Sequence, residues 1–282
     1  MPHQPFIVYG VDFTSAPRCA KPITIAVGQL RRQSFMLEAI ELAHDFAAFE
    51  NLLARPGPWI AGIDAPFGLP REAVRDLDWP AQWPALVRHC AALGRIDFRA
   101  ALDRYRETRP VGRRYAHRAT DHPAGSHSPL KLVNPPVGLM FLETAPRLLA
   151  AGVSIPGMHV GDPERIAIEA YPGFSARTMT RESYKADDRA KQTPERRRVR
   201  ASIVATLVND GGPFGLRVTA DCGLIATLTR DPTGDGLDAV LAALQAAWSL
   251  ERRDGHYGLP IDIDPIEGWI ATVPAADARM PS

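Results

Sequence analysis

Read from its amino terminus, the chain groups its apolar positions into short, nearly continuous runs. Residues 7–11 (IVYGV) and 59–63 (WIAGI) are two of these, and residues 166–168 (IAI) are a third. Runs of this kind, too short for helices and lacking polar alternation, predict central strands covered on both faces. Residues 22–30 (PITIAVGQL) and 34–41 (SFMLEAIE) predict two further strands in a meander with the first. The period then changes. Residues 44–54 (HDFAAFENLLA) read as an amphipathic helix leading into the strand at Trp59. Residues 233–248, TGDGLDAVLAALQAAW, place Leu237, Val240, Leu241, Leu244 and Trp248 at helical spacing with alanines between them. A helix that is apolar or small on all sides belongs in the interior.

The stretch from about 70 to 160 is too long for a simple connection. Residues 81–93, 96–107 and 139–151 read as helices, the last despite Pro146, and another helix is expected from about Pro194. The pattern as a whole predicts one α/β domain over residues 1–282. Its mixed sheet is flanked by helices, and a mainly helical insertion with a basic loop occupies about 70–160.

Polar residues sharpen this picture where the apolar runs stop. The three runs end in Asp12, Asp64 and Glu169, followed within a few residues by Pro17, Pro66 and the pair Pro172-Gly173. An aspartate after a strand is a common turn residue. Here, however, the first two share a plan, Gly-[Val/Ile]-Asp and a proline turn, and parallel strands would bring their carboxyl ends to one sheet edge. Open α/β sheets place their sites there. Carboxylates gathered at one edge repel unless they are protonated or bridged by a cation, and Mg²⁺ is the usual partner of such oxygens with phosphate substrates. The late helix opens with two more acids, Asp235 and Asp238. They read either as a cap, in the manner of a capping box favoured by the helix dipole, or as side chains directed into a site.

Four blocks in order, GVDFTSAP, GIDAPFGLP, IEAYPG and GDGLDAVLAALQAAW, resemble the motifs of the domain-of-unknown-function 429 family. Members of that family are described as predicted nucleases of the ribonuclease H-like fold. The resemblance runs from the first strand to EGWI near residue 270 and is weakest between about 75 and 160. It implies a ribonuclease H-like sheet and a metal-dependent phosphodiester hydrolase acting on DNA or RNA, with Mg²⁺ or Mn²⁺ as cofactor. It further implies Asp12, Asp64, Glu169, Asp235 and Asp238 as catalytic acids. Asp12 would bridge two metals, Asp64 and Asp238 would complete them, and Asp235 would be the companion acid. Glu169 would bind metal, orient water or hold a basic neighbour.

Composition adds little to this and excludes some classes. The 282 residues are 45% hydrophobic and 23% charged with a net charge of +1, so no global field favours nucleic acid or membrane. Three separated cysteines without a CxxC pattern suit a reduced compartment, and neither a secretory signal nor a membrane-length apolar run is read. A cytoplasmic protein is the expectation. Local charge is more informative: residues 104–118 (RYRETRPVGRRYAHR) carry six arginines against one glutamate. Arg113 and Arg114 are the candidates for phosphate contacts, and Tyr105 and Tyr115 for base stacking. Residues 185–200 read instead as an arginine-rich helix face pairing with its own acids, with Lys185 a candidate near the site. His117, His122 and His127 lie in a Gly/Pro/Ser-rich loop and read as solvated. Two other classes stay open. One is a phosphotransferase like sugar kinases and actin-like ATPases, whose first phosphate loop GVDFTSAP also resembles; the other is a non-catalytic nucleic-acid-binding scaffold.

Overall fold

The computed structural model describes residues 6–275. Strands β1 (Ile7–Asp12), β2 (Ile23–Arg31) and β3 (Ser34–Ala43) form the expected meander, and helix α1 (Phe46–Leu53) leads into β4 (Trp59–Ile63). The insertion contributes α2 (Arg71–Asp76), α3 (Trp83–Glu107), α4 (Asp121–Ala124) and α5 (Val137–Ala151). The chain then returns through β5 (Val153–Ser154), β6 (Asp162–Glu169), α6 (Pro172–Met179), α7 (Pro194–Asn209), β7 (Arg217–Thr219) and α8 (Cys222–Arg230) to α9 (Asp235–Glu251). The two helices read at 81–93 and 96–107 are merged in α3 but broken at Gly94, whose φ of 66° interrupts the helix.

These strands form a seven-stranded mixed sheet in the order β5-β6-β4-β1-β2-β3-β7, flanked by helices. β4 lies parallel to both β1 and β6, whereas β2 is antiparallel to β1 and to β3. All five residues of β4 are buried, as its unbroken apolar run requires. The edge strands β5 and β7, of two and three residues, are too short for any hydrophobic period to announce them.

The two faces of the sheet bury different cores. Tyr9, Val11, Trp59, Ala61, Ile63 and Ala167 pack with α1, α3 and α5, whereas Val8, Ile60, Ile166 and Ile168 pack against α9. On the α9 face the helix meets the strands backbone to backbone. A Cβ at Gly10 would run into the main chain of Ala239 and Ala243, and one at Gly62 into that of Ala242. The glycines of the Gly-[Val/Ile]-Asp motif and the alanines of α9 are thus one packing solution. Gly10 and Gly62 are paired across β1 and β4, so the helix rests on both strands at the same level.

Close packing leaves no volume for even a methyl group. Gly10→Ala and Gly62→Ala are each expected to cost about 3 kcal/mol or more, read as a lower urea midpoint. Gly255→Ala, where nothing lies within 4 Å of the added carbon, should leave the midpoint unchanged. Wild-type midpoints for the first two would show that the helix does not pack on the strands in this way.

Candidate active site

Because side chains alternate along a strand, the residue two beyond a glycine shares its face. Asp12 follows Gly10 and Asp64 follows Gly62, so both leave the sheet on the α9 face. They are neighbours, since Asp64 N–H donates to Val11 O at 2.9 Å. Helix α9 begins above them, and its first turn adds Asp235 and Asp238. Four aspartates from three elements therefore meet at the carboxyl edge of β1 and β4.

Neither helix acid is a cap. The N-cap is Gly234 at φ 76°, and no side-chain cap bond is made from that position. Asp231 does the capping: its carboxylate accepts from Thr233 N–H at 3.0 Å and from Gly236 N–H at 3.2 Å. Asp238 is only 1% exposed, and one of its oxygens accepts the Tyr184 hydroxyl while the other accepts Lys185 Nζ. Asp12 and Asp64 receive no side-chain hydrogen bond among the described residues.

Electrostatics follow from this crowding. Burial, then the charge of Asp238, pushes the Asp12 carboxyl well above the usual range; Asp235 and Asp64 add to the shift and Lys185 opposes it. Asp64 is pushed up to about 7, again by burial and then Asp238, with Lys185 opposing. Asp235 is raised by burial, against the pull of Lys21 and Lys185. For Lys185 burial works against the charge, but Asp238, Tyr184 and Asp12 outweigh it and hold the ammonium well above its ordinary pKa.

Glu169 is placed differently. It pairs in register with Ile63, whose side chain belongs to the face away from α9, and it points the same way. There it receives a bidentate Arg118 guanidinium at 2.7 Å on each oxygen and the Phe67 N–H at 2.9 Å. Arg118, 2% exposed, divides its remaining donors between Asp121 and the Glu267 carbonyl. Of the roles considered for Glu169, holding a basic neighbour is the one the structure displays. Such a buried network is worth about 3–5 kcal/mol when one partner is removed, because the others are left charged and unpaired.

Two cavities open onto the cluster. One of about 340 Å³ is lined by Asp64, Asp238, Lys185, His127, Tyr171 and Met140 among others. A second of about 510 Å³ is lined by Asp12, Asp235, Lys21, Thr14, Lys185 and Met140. The insertion walls both through Pro135 and Met140. His127 thus reaches the site while His117 stacks on His122 at 4.5 Å in a separate groove. Burial, then Lys131, whose Nζ lies 3.3 Å from His127 Nε2, lowers the His127 pKa. Arg113 and Arg114 are exposed in that separate groove of about 650 Å³ and are not brought to the carboxylates. Tyr105 is 6% exposed beneath Arg109, so its ring is core and closed to a base. In the second basic cluster Arg198 pairs with Glu195 and Arg200 is buried, in keeping with a structural helix face. Tyr184, Lys21 and Asp231 were missed by sequence reasoning, and only the acidic and basic character of their surroundings hinted at them.

The donor set suits a hard divalent cation: carboxylate oxygens, mutually repelling, two of them without a hydrogen-bond donor. Among the described residues, however, no three His, Cys, Asp or Glu side chains are already drawn together as a metal shell. The local charge is offset instead by Lys185. No helix among the described residues is long and apolar enough to cross a membrane.

A seven-stranded mixed sheet with an acidic cluster at the carboxyl edge of its central strands defines an α/β protein with an acidic candidate site. Residues 10–262 match the family described as "Protein of unknown function (DUF429)", and the chain belongs to that family. No curated protein and no solved structure matches it.

The raised pKa of Asp64 has a definite sign. The fold favours the protonated carboxyl, a contribution present below the usual value of about 4 and lost as pH rises through about 7. In chelator at pH 8, Asp64→Asn is therefore expected to melt several degrees above the wild type, with the difference closing as the pH falls toward about 4. Thermal unfolding followed by circular dichroism measures it. An unchanged or lower melting temperature for the variant at pH 8 would count against the crowding of these charges.

Proposed function

We propose that the protein is a phosphodiester hydrolase of the ribonuclease H-like fold, dependent on Mg²⁺ or Mn²⁺ and acting on DNA or RNA. The observation that carries this reading is the meeting of Asp12, Asp64, Asp235 and Asp238 on one face of one sheet edge, with carboxyl pKa values raised at three of them. A chain that only needed to fold would gain by replacing these acids, since their repulsion opposes folding. The order of strands also supports the fold assignment: a β1-β2-β3 meander followed by a parallel β4 beside β1.

Asp12, Asp64 and Asp238 are the side chains that would hold divalent cation, whose chemistry is to activate water and stabilise charge on the leaving oxygen. Asp235, half-buried at the mouth of the second cavity, is an auxiliary acceptor. His127, which lines the first cavity, is a group able to take up or return a proton. Arg113 and Arg114 supply a positive surface for phosphates away from the point of cleavage.

A labelled panel of single-stranded, duplex and branched DNA and RNA, incubated with Mg²⁺ or Mn²⁺, tests the proposal. Cleavage is expected, and Asp12→Asn or Asp238→Asn should each lower its rate by about 100-fold or more, the usual effect of removing one preorganised charge contact. An Arg113→Ala/Arg114→Ala protein should keep its catalytic rate but bind more weakly, with a shallower salt dependence. Cleavage that survives both aspartate substitutions, or none on any substrate while metal is bound, would reject the nuclease assignment. The second outcome would direct attention to phosphotransfer on small substrates.

A further inference from the structure

Lys185 is held far more firmly than a surface lysine. Its carbonyl accepts from Arg196 Nη1 at 2.9 Å, and the Tyr184 carbonyl before it accepts from Arg200 Nη1 at 2.6 Å. Ala186 after it donates to Pro232 O at 3.2 Å and accepts from Gln192 Nε2 at 3.0 Å. The Lys185 Cβ rests on Gly234, where an added carbon would lie 2.8 Å from it. Three consecutive residues are thus tied to α7 and to the loop entering α9. The flexible stem of a lysine here springs from a fixed root.

The ammonium stands where the site divides. Asp64 and Asp238 face one cavity and Asp12 and Asp235 the other, while Lys185, Pro135 and Met140 belong to both. Both oxygens of Asp238 are already engaged, one by the Tyr184 hydroxyl and one by Lys185 Nζ. Asp12 and Asp64 have no equivalent partner among the described residues. The carboxylates are therefore unequal as ligands: one is satisfied from within the chain and two are not.

Resting on the metal-dependent reading above, we infer that Lys185 takes the place of one of the two cations that the resemblance implies. Of the three carboxylates named above, only Asp12 and Asp64 then hold divalent ion, a single one, and the Lys185 ammonium is the fixed second positive charge, seated on Asp238. A lysine in that position cannot lower the pKa of water as a metal does. Its contribution is a permanent charge and, with one N–H on Asp238, up to two hydrogen-bond donors toward a phosphate oxygen, with water activation left to the one ion.

Counting bound Mn²⁺ by equilibrium dialysis of the full chain at saturating metal tests this without reference to activity, with circular dichroism as the check of folding. One ion per chain is expected for the wild type and for Lys185→Arg, which keeps the charge, and two for Lys185→Met, which frees Asp238. Two ions in the wild type would overturn the inference while leaving the metal-dependent reading intact. So would a single ion in a folded Lys185→Met protein. No ion in the wild type or in either variant would overturn the metal-dependent reading itself. Should Lys185→Met fail to fold, the wild-type count alone decides between one ion and two.

Discussion

The close approach of α9 to the sheet governs most of what else is seen. Backbone-to-backbone contact at Gly10 and Gly62 fixes the height of the helix above β1 and β4 to within the size of a methyl group. It also explains why α9 carries alanine where an ordinary core helix would carry leucine. With the helix held there, its first turn is set over the carboxyl ends of the two strands it crosses. The residues two beyond each glycine then face the same turn. Asp12, Asp64, Asp235 and Asp238 are brought together by packing, without any attraction among themselves.

That arrangement has an energetic cost, and several neighbouring elements can be understood as offsetting it. Burial and mutual repulsion favour the protonated forms of Asp12 and Asp64, which is why their pKa values rise. Lys185 offsets part of the charge, and it does so only because its backbone is fixed. The arginines of α7 serve that purpose: Arg196 and Arg200 donate to the main chain at Lys185 and Tyr184, so a basic helix acts as a clamp on a loop. A basic cluster in the sequence has here become structural through carbonyl oxygens rather than through phosphate.

Much of this was legible from residue pattern. The apolar runs gave β1, β4 and the end of β6, the meander gave β2 and β3, and the all-apolar helix was recognisably interior. The repeated Gly-[Val/Ile]-Asp even contained the packing rule, although a glycine in a strand does not say what approaches it. Two things were hidden. Tyr184 and Asp231 come from irregular segments with no period, and the hold on the neighbouring Lys185, which was a candidate, depends on hydrogen bonds to main-chain oxygens, which leave no trace in side-chain pattern. The burial of Tyr105 was hidden for a related reason. Its segment is rich in arginine, and only the fold shows that Arg109 covers the ring while pairing with Glu72 and Asp76.

Glu169 shows how the sheet separates two uses of the same chemical group. Strand parity sends it to the face opposite α9, where Arg118 and the Phe67 N–H satisfy it, with Asp121 holding the other side of the guanidinium, and the network anchors the insertion to the end of β6. There the carboxylate's partners lie within the chain, and it holds structure together. On the α9 side Asp12 and Asp64, half-buried, have no side-chain donor among the described residues. Carboxylates with raised pKa values cluster at functional sites, which makes this part of the edge the candidate site. Glu169 and Arg118 still line the same cavity as Asp64 and Asp238, so parity sets a carboxylate already held within the chain beside Asp64, which has no such donor among the described residues.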